Sequence, residues 1–383
     1  MNESVRKPGG RAIRVLEVIN SSSVGGGQTQ LLALARGLPR DRFEIDVAAA
    51  PDGPLGDLVR SSGLSFYPLG FDSAWRGRLV RAVRNLVSSG GYRIVHTHGG
   101  IAGFWVRAAL PGLPPRTVHT LHGIHYLHYA NPLTRLACIL VDRCLARFTD
   151  RIICVSSSDR RQGVAAGVLG ASQARVVPNG VEPTELEPSV EPAEVRAALG
   201  LSPRVPLIGC VARLHRQKGL PHLLESMATV GRQRPEARLA LVGDGPEEVA
   251  LRSLAANLGI TDRILFLGAR NDVADLYRAF DLFCLPSLWE GLPISLLEAL
   301  LMGLPVVATA VDGTVEVVSH EQEGLLVPPG DPGALAGALL RLLDDRELGA
   351  RLGKAGQARV LSGFTRSRMV ELTGQVYDEL CPV

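Results

Sequence analysis

The chain has 383 residues, of which 46% are hydrophobic and 21% charged, enough length and apolar content for two packed domains and too balanced a composition for disorder. Its net charge of +3 hides an asymmetry: residues 1–190 hold 22 Lys and Arg against 14 Asp and Glu, whereas the remainder holds 19 against 24. Six scattered cysteines without a C-x-x-C or metal-ligand spacing read as buried thiols of a reducing compartment, and nucleic acid is not an expected partner.

In chain order, residues 11–19 (RAIRVLEVI) form a strand-type run, followed by the turn residues SSSVGGGQ and the helically spaced TQLLALARGL, so that Gly25, Gly26 and Gly27 make a glycine loop between strand and helix. The opening lacks the long apolar run of a signal peptide. Further strand-type runs fall at 43–49, 64–67, 93–97, 116–121, 151–155 and 175–177, separated mostly by helix-length segments. Between them, Arg76, Arg78, Arg81 and Arg84 alternate with Trp75, Leu79, Val80, Val83, Leu86 and Val87 at helical spacing, which reads either as a solvated surface helix or as one lying on an anionic membrane. His96 and His98 follow one strand and serve either the site or the structure; His119 and His122 stand at the carboxyl edge of the next. After Pro178 a proline- and glutamate-rich stretch reads as the linker. The alternation then resumes, with runs at 205–211, 237–242, 264–267, 281–285, 305–309 and 324–327. Such alternation implies parallel sheets with helices on both faces, and ligands at the carboxyl ends of the strands.

Two stretches of the second half carry chemistry. The loop within Gly209–Leu220 holds Arg213 and Lys218, two fixed cations able to neutralise a departing diphosphate. In PSLWEGLPISLLEALLMGLPVVAT, Glu290 lies in a loop, Pro293 suits the first helical position and Glu298 falls about two turns further in. Leu292 then occupies the capping position and offers no acceptor, so the first-turn amides are left free to seat a phosphate, with the two carboxylates suited to sugar hydroxyls. Pro293, Glu298 and Pro305 also interrupt the longest apolar run, which therefore reads as helix and strand rather than a membrane span, in a soluble cytoplasmic protein.

The E-x7-E stretch resembles the signature of the retaining glycosyltransferases of family 4, and the likeness extends from about Gly25 to about Gly330. The resemblance implies the α/β GT-B fold, two facing Rossmann-like domains with parallel sheets and an interdomain cleft. Residues 1–182 would form the acceptor domain and 205–362 the nucleotide-sugar domain, with the terminal helix within 366–383 packing back on the first. By the same resemblance Arg213 and Lys218 contact the donor diphosphate, Glu290 the sugar hydroxyls and Glu298 the ribose, while Gly291, Leu292, Pro293 and Ile294 help seat the phosphates. His122 matches the T-x-H position facing the donor sugar, and Gly26 and Gly27 match a loop approaching a phosphate, although Gln28 replaces the family's frequent Glu. The implied activity is transfer of a sugar from a nucleotide diphosphate donor to an acceptor hydroxyl, in surface polysaccharide or glycolipid synthesis, on a sugar or lipid-linked acceptor. Peripheral association with the inner membrane face is an accompanying expectation. No cofactor is expected, and no D-x-D is present to hold a metal. The alternatives are a GT-B epimerase or phosphorylase, and a dinucleotide-binding oxidoreductase or regulator, against which stands the lack of G-x-G-x-x-G after the first strand.

Overall fold

The computed structural model describes residues 12–23, 25–71 and 76–382, which divide into two compact units: residues up to 178 together with 366 onward, and 179–365. In the first unit the strands are β1 Ile13–Ile19, β2 Phe43–Ala49, β3 Ser65–Pro68, β4 Ile94–His98, β5 Arg116–Leu121, β6 Arg151–Cys154 and β7 Ala174–Val176. All are parallel, in the order β3-β2-β1-β4-β5-β6-β7. The second unit repeats the scheme with β8 Leu207–Val211, β9 Arg238–Val242, β10 Ile264–Gly268, β11 Leu282–Leu285, β12 Val306–Thr309 and β13 Leu325–Val327, in the order β10-β9-β8-β11-β12-β13. Every strand-type run of the sequence is a strand, with ends moved by at most two residues.

Both sheets are doubly wound because their inner strands are buried on both faces and mostly apolar, while the edge strand β3 is partly exposed. β4 is buried throughout and β8 nearly so, and helices cover each side, as parallel sheets require. The strand order reverses between β1 and β4 in the first unit and between β8 and β11 in the second, and the crevice outside the carboxyl ends at such a point is where these folds bind ligands.

One segment differs from its sequence reading, and another takes the surface-helix alternative of the two it offered. The stretch read as a linker is folded into the second unit: Asp275 accepts from the amides of Ser189 and Val190, and Arg196 bonds Asp281 and the carbonyl of Ala279. The arginine-studded helix Arg76–Gly90 spends its apolar stripe of Leu79, Val83 and Val87 on the core of the first unit, leaving Arg78 and Arg81 outward, so it has no apolar face to offer a membrane. Trp75 lies outside the described residues. The helix with exposed apolar side chains is instead Pro132–Ala146, where only Leu145 is buried. The helix Arg366–Leu380 packs against Gly26–Gly37 within the first unit, burying Met369, Val370, Val376 and Tyr377.

Candidate functional site

In the second unit the loop after β8 and the loop after β11 meet at the strand-order switch. Leaving β8, the chain places Arg213 outward, and its side chain makes no hydrogen bond or ion pair among the described residues. The backbone of this loop is held against the turn Gly243–Gly245 after β9 by a bond from the Leu214 amide to the Asp244 carbonyl at 2.7 Å. A Cβ on Gly243 or Gly245 would run into the carbonyls of Ala212 or Leu214, which is why glycine stands at both positions, each with φ in the left-handed half of the map. Gly219 (φ 61°) turns the chain into the next helix directly beneath the Pro286 carbonyl, where again no Cβ fits.

That close approach delivers Lys218 to Glu290. The ammonium meets Oε1 at 2.5 Å, and the same oxygen accepts from Ser287 at 2.6 Å, while Oε2 accepts from Gln217 at 3.2 Å. The Glu290 amide donates to Asp312 at 3.0 Å, and Asp312 itself sits at a φ of 36°. Of the roughly four lone-pair sites on a carboxylate, three are thus occupied. Glu290 therefore holds Lys218 in place as much as it offers an acceptor to sugar hydroxyls, and an ammonium with three donors keeps two for other oxygens.

The helix that follows runs Ile294–Leu301, so Pro293 is its capping residue rather than its first member, at an extended ψ of 120°. The expectation of an end without a side-chain acceptor survives that shift of one residue, since proline offers none. Glu298 lies only a little over one turn in, not two. Leu296, Leu297 and Leu300 are fully buried and fix the helix against the core, each worth about 1.5–3 kcal/mol, which orients the opposite face. On that face Glu298 is half-buried and accepts from the Tyr277 hydroxyl at 2.9 Å. Burial pushes its carboxyl up to about 7 despite that hydrogen bond. Leu292 is buried, and its carbonyl takes the Asn179 side chain at 2.8 Å.

In the first unit Gly26 and Gly27 open the helix Gly26–Gly37 instead of forming a loop, and that helix too lacks a side-chain cap. Gln28 reaches back to the Ser21 carbonyl at 3.1 Å. His122 follows β5, half-buried, and its Nε2 meets His98 Nδ1 at 3.3 Å. His98 in turn meets Glu17 Oε2 at 2.7 Å, and the other Glu17 oxygen accepts from the Tyr377 hydroxyl at 2.5 Å. His96 lies between Tyr377 (2.6 Å) and Thr120 (2.7 Å). Burial opposes the charge on Glu17, but the facing His96 and His98 hold its carboxyl far below the ordinary range. Burial pushes His98 down to about 4 and His122 to about 3, so both rings are neutral at pH 7. Glu17, His96 and His98 bring ligand-type atoms within 4.8 Å of one another, and all of those atoms are engaged in the bonds just described. His119 is buried elsewhere, on Thr97 at 2.8 Å, and is structural.

Sequence reasoning missed Glu17, Tyr377, Gln217, Ser287 and Asp312. Glu17 alone carries a signal: a carboxylate in the middle of the apolar strand IRVLEVI must find partners if that strand is buried on both faces.

Comparison with known proteins places these two units beside named families. Residues 24–185 match the family described as Glycosyltransferase Family 4, and residues 193–359 match Glycosyl transferases group 1. A putative glycosyltransferase of Bacillus subtilis, EpsF, is 30% identical over 302 residues, covering 77% of this chain and 78% of that protein. The UDP-Gal:alpha-D-GlcNAc-diphosphoundecaprenol alpha-1,3-galactosyltransferase of Escherichia coli is 28% identical over 356 residues, covering 90% and 91%. Among solved structures, Anabaena HepE in complex with UDP and glucose superposes with a TM-score of 0.83 at 24% identity over 96% of this chain and 100% of that one, and WaaG, involved in lipopolysaccharide biosynthesis, with 0.77 at 19% over 96% and 100%. These likenesses show a two-domain GT-B fold.

Proposed function

Because the chain belongs to the glycosyl transferases group 1, glycosyltransferase family 4, we propose that this glycosyltransferase moves a sugar from a nucleoside diphosphate to an acceptor hydroxyl with retention at the anomeric carbon. The observation that carries the proposal is the pairing of Lys218 with Glu290 beside Arg213 at the strand-order switch of the second unit. As the bond from the anomeric carbon to phosphate oxygen breaks, the diphosphate leaves with the electron pair. Arg213 and the free donors of Lys218 stabilise that charge, in the place a metal takes in other glycosyltransferases. The acceptor hydroxyl bonds the same face of the carbon, and its proton goes to the departing phosphate. Glu298 accepts from the ribose hydroxyls, the uncapped helix start near Gly291, Leu292 and Ile294 supports the phosphates, and His122 bonds a hydroxyl of the donor sugar. Family membership sets aside the oxidoreductase reading; the epimerase and phosphorylase readings predict no transfer to a saccharide acceptor from a nucleotide sugar. Incubating the protein with a panel of nucleotide sugars and a lipid diphosphate saccharide, with the product's anomeric configuration read by NMR, tests the whole; an inverted product refutes retention. Full activity in excess chelator is the expected outcome, and a rate that collapses and returns with magnesium or manganese refutes the metal-free reading.

The acceptor is a saccharide on a lipid diphosphate at a membrane surface. What supports this is the named acceptor of the E. coli relative together with the helix Pro132–Ala146, whose exposed Leu133, Leu136, Leu140 and Val141 form a stripe at helical spacing. Arg135, Arg143 and Arg147 flank it, and its one acid, Asp142, is engaged with Arg107. That complement of charge suits an anionic bilayer. No helix among the described residues is long and apolar enough to cross a membrane, and the attachment proposed is peripheral. Co-sedimentation with anionic vesicles is expected at low salt and reduced at high salt; loss of none of it in Leu136→Glu/Leu140→Glu refutes this helix as the contact.

A further inference from the structure

We infer that Glu17, acting through His98, fixes the tautomer of His122 so that His122 presents Nδ1 as a hydrogen-bond acceptor, making Glu17 and His98 positioning residues for sugar transfer. The functional half of this inference rests on the assignment of His122 to the donor sugar.

An ionised carboxylate can only accept. One oxygen of Glu17 is taken by the Tyr377 hydroxyl, and the other lies 2.7 Å from His98 Nε2, which must therefore carry a hydrogen. His98 is only 3% exposed, and a second proton on its ring would have to be held without water, so its Nδ1 keeps a lone pair. That lone pair faces His122 Nε2 at 3.3 Å across two nearly parallel rings, 26° apart. Two lone pairs cannot face each other, so the hydrogen between them sits on His122 Nε2. What remains is Nδ1, with its lone pair available to a hydroxyl and no hydrogen to give.

The far end of the chain of bonds is as well determined as the near end. Glu17 is fully buried in β1, and the hydroxyl that holds it comes from Tyr377, itself fully buried in the terminal helix. His96, which also approaches Glu17 Oε2 at 3.2 Å, is bonded to both Tyr377 and Thr120 and so cannot rotate away to release the carboxylate. Every group behind His122 is pinned, and a pinned histidine discriminates among hydroxyl orientations where a mobile one would not. In hydrolases where a carboxylate sets a catalytic histidine's tautomer, the amide substitution that loses this control lowers kcat by up to about 10⁴. With a second imidazole interposed, the expected loss is smaller.

The test uses the full chain with histidines labelled by nitrogen-15. Two-bond nitrogen–proton correlation at pH 7.5 should show the Nε2–H tautomer at both His98 and His122; an Nδ1–H tautomer at His122 overturns the inference without any variant being made. Glu17→Gln should lower kcat with the preferred nucleotide sugar by roughly 10- to 100-fold, leave the Kd for the free nucleoside diphosphate within about two-fold, and turn the His122 signal into a tautomer mixture. If His122→Ala is impaired and Glu17→Gln turns over like the parent, the positioning role falls alone. If His122→Ala itself turns over like the parent, the assignment of His122 to the sugar falls instead.

Discussion

The two strand-order switches of this molecule gather their polar groups in opposite ways. In the second unit the functional groups arrive on neighbouring loops: Lys218 and Gln217 from one, Ser287 and Glu290 from the other, joined by contacts of a few residues' span on each side. In the first unit the groups come from β1, β4, the end of β5 and the terminal helix, so that Glu17 is bonded to a tyrosine 360 positions away. A site made from loops keeps its cations partly in solvent, with Arg213 exposed and Lys218 half-buried, where a phosphate can displace water. A site made from strands and a packed helix buries its charge and must satisfy every lone pair internally. On the proposed function, the first arrangement would serve electrostatics and the second orientation.

That contrast is broken most directly by removing the cations. Lys218→Ala or Arg213→Ala should lower kcat/KM by about 100-fold or more, because preorganised charge at a leaving group is lost, while Tm stays within a few degrees. A Lys218→Ala enzyme with parental kcat/KM would show that Glu290, not the ammonium, is the working member of the pair. Gly219→Ala comes next: forcing a Cβ against the Pro286 carbonyl at a left-handed φ should cost about 2 kcal/mol or more and separate Lys218 from Glu290, seen as a fall in both denaturation midpoint and activity.

Tyr377→Phe probes the other arrangement. It removes one donor from the buried Glu17 carboxylate and should cost about 1–3 kcal/mol in urea unfolding with no change in nucleotide affinity. Weakened nucleotide binding in this variant would mean that the two regions are not separable as described. The smallest effect belongs to Glu298. Burial raises its pKa to about 7, so the folded chain holds a proton that the unfolded chain, near 4.5, has released; the stability this proton brings is complete below pH 4.5 and is lost as pH rises through 7. Ribose hydroxyls prefer the ionised form, so affinity for a nucleoside diphosphate should rise about three- to five-fold between pH 6 and 8. Glu298→Gln should bind more weakly at pH 8 and show a flat profile in titration calorimetry; a parental slope in that variant would assign the titration to another group.

The spacing of apolar runs was enough to place the thirteen strands of the described residues, since strands buried on both faces are mostly apolar whatever packs on them, with Glu17, His96 and His98 the polar exceptions and the half-exposed β3 found by its short apolar run. That Arg213, Lys218, Glu290 and Glu298 fall on the segments after β8 and β11 was legible for a related reason: each loop or helix start is a short segment, and the spacing of its charges is written within it. The linker failed as a reading because proline and glutamate content reports low helical periodicity, not the absence of partners, and Asp275 and Asp281 supply those partners from 86 and 85 residues away. The exposed apolar stripe lies on Pro132–Ala146 and not on Arg76–Gly90 because amphipathic spacing looks the same whether the apolar stripe faces a core or the outside.

By itself, then, the order of residues determined the doubly wound architecture, the family and the cationic loop, all of which depend on local spacing. Only the tertiary structure decided that Glu290 is bound to Lys218, that Glu17 stands behind His122, and that Tyr377 closes the chain of bonds. The reason is physical: a hydrogen bond to a buried carboxylate is specified by distances of about 3 Å in space, and nothing in the separation of two residues along the chain records which strands the fold will lay side by side.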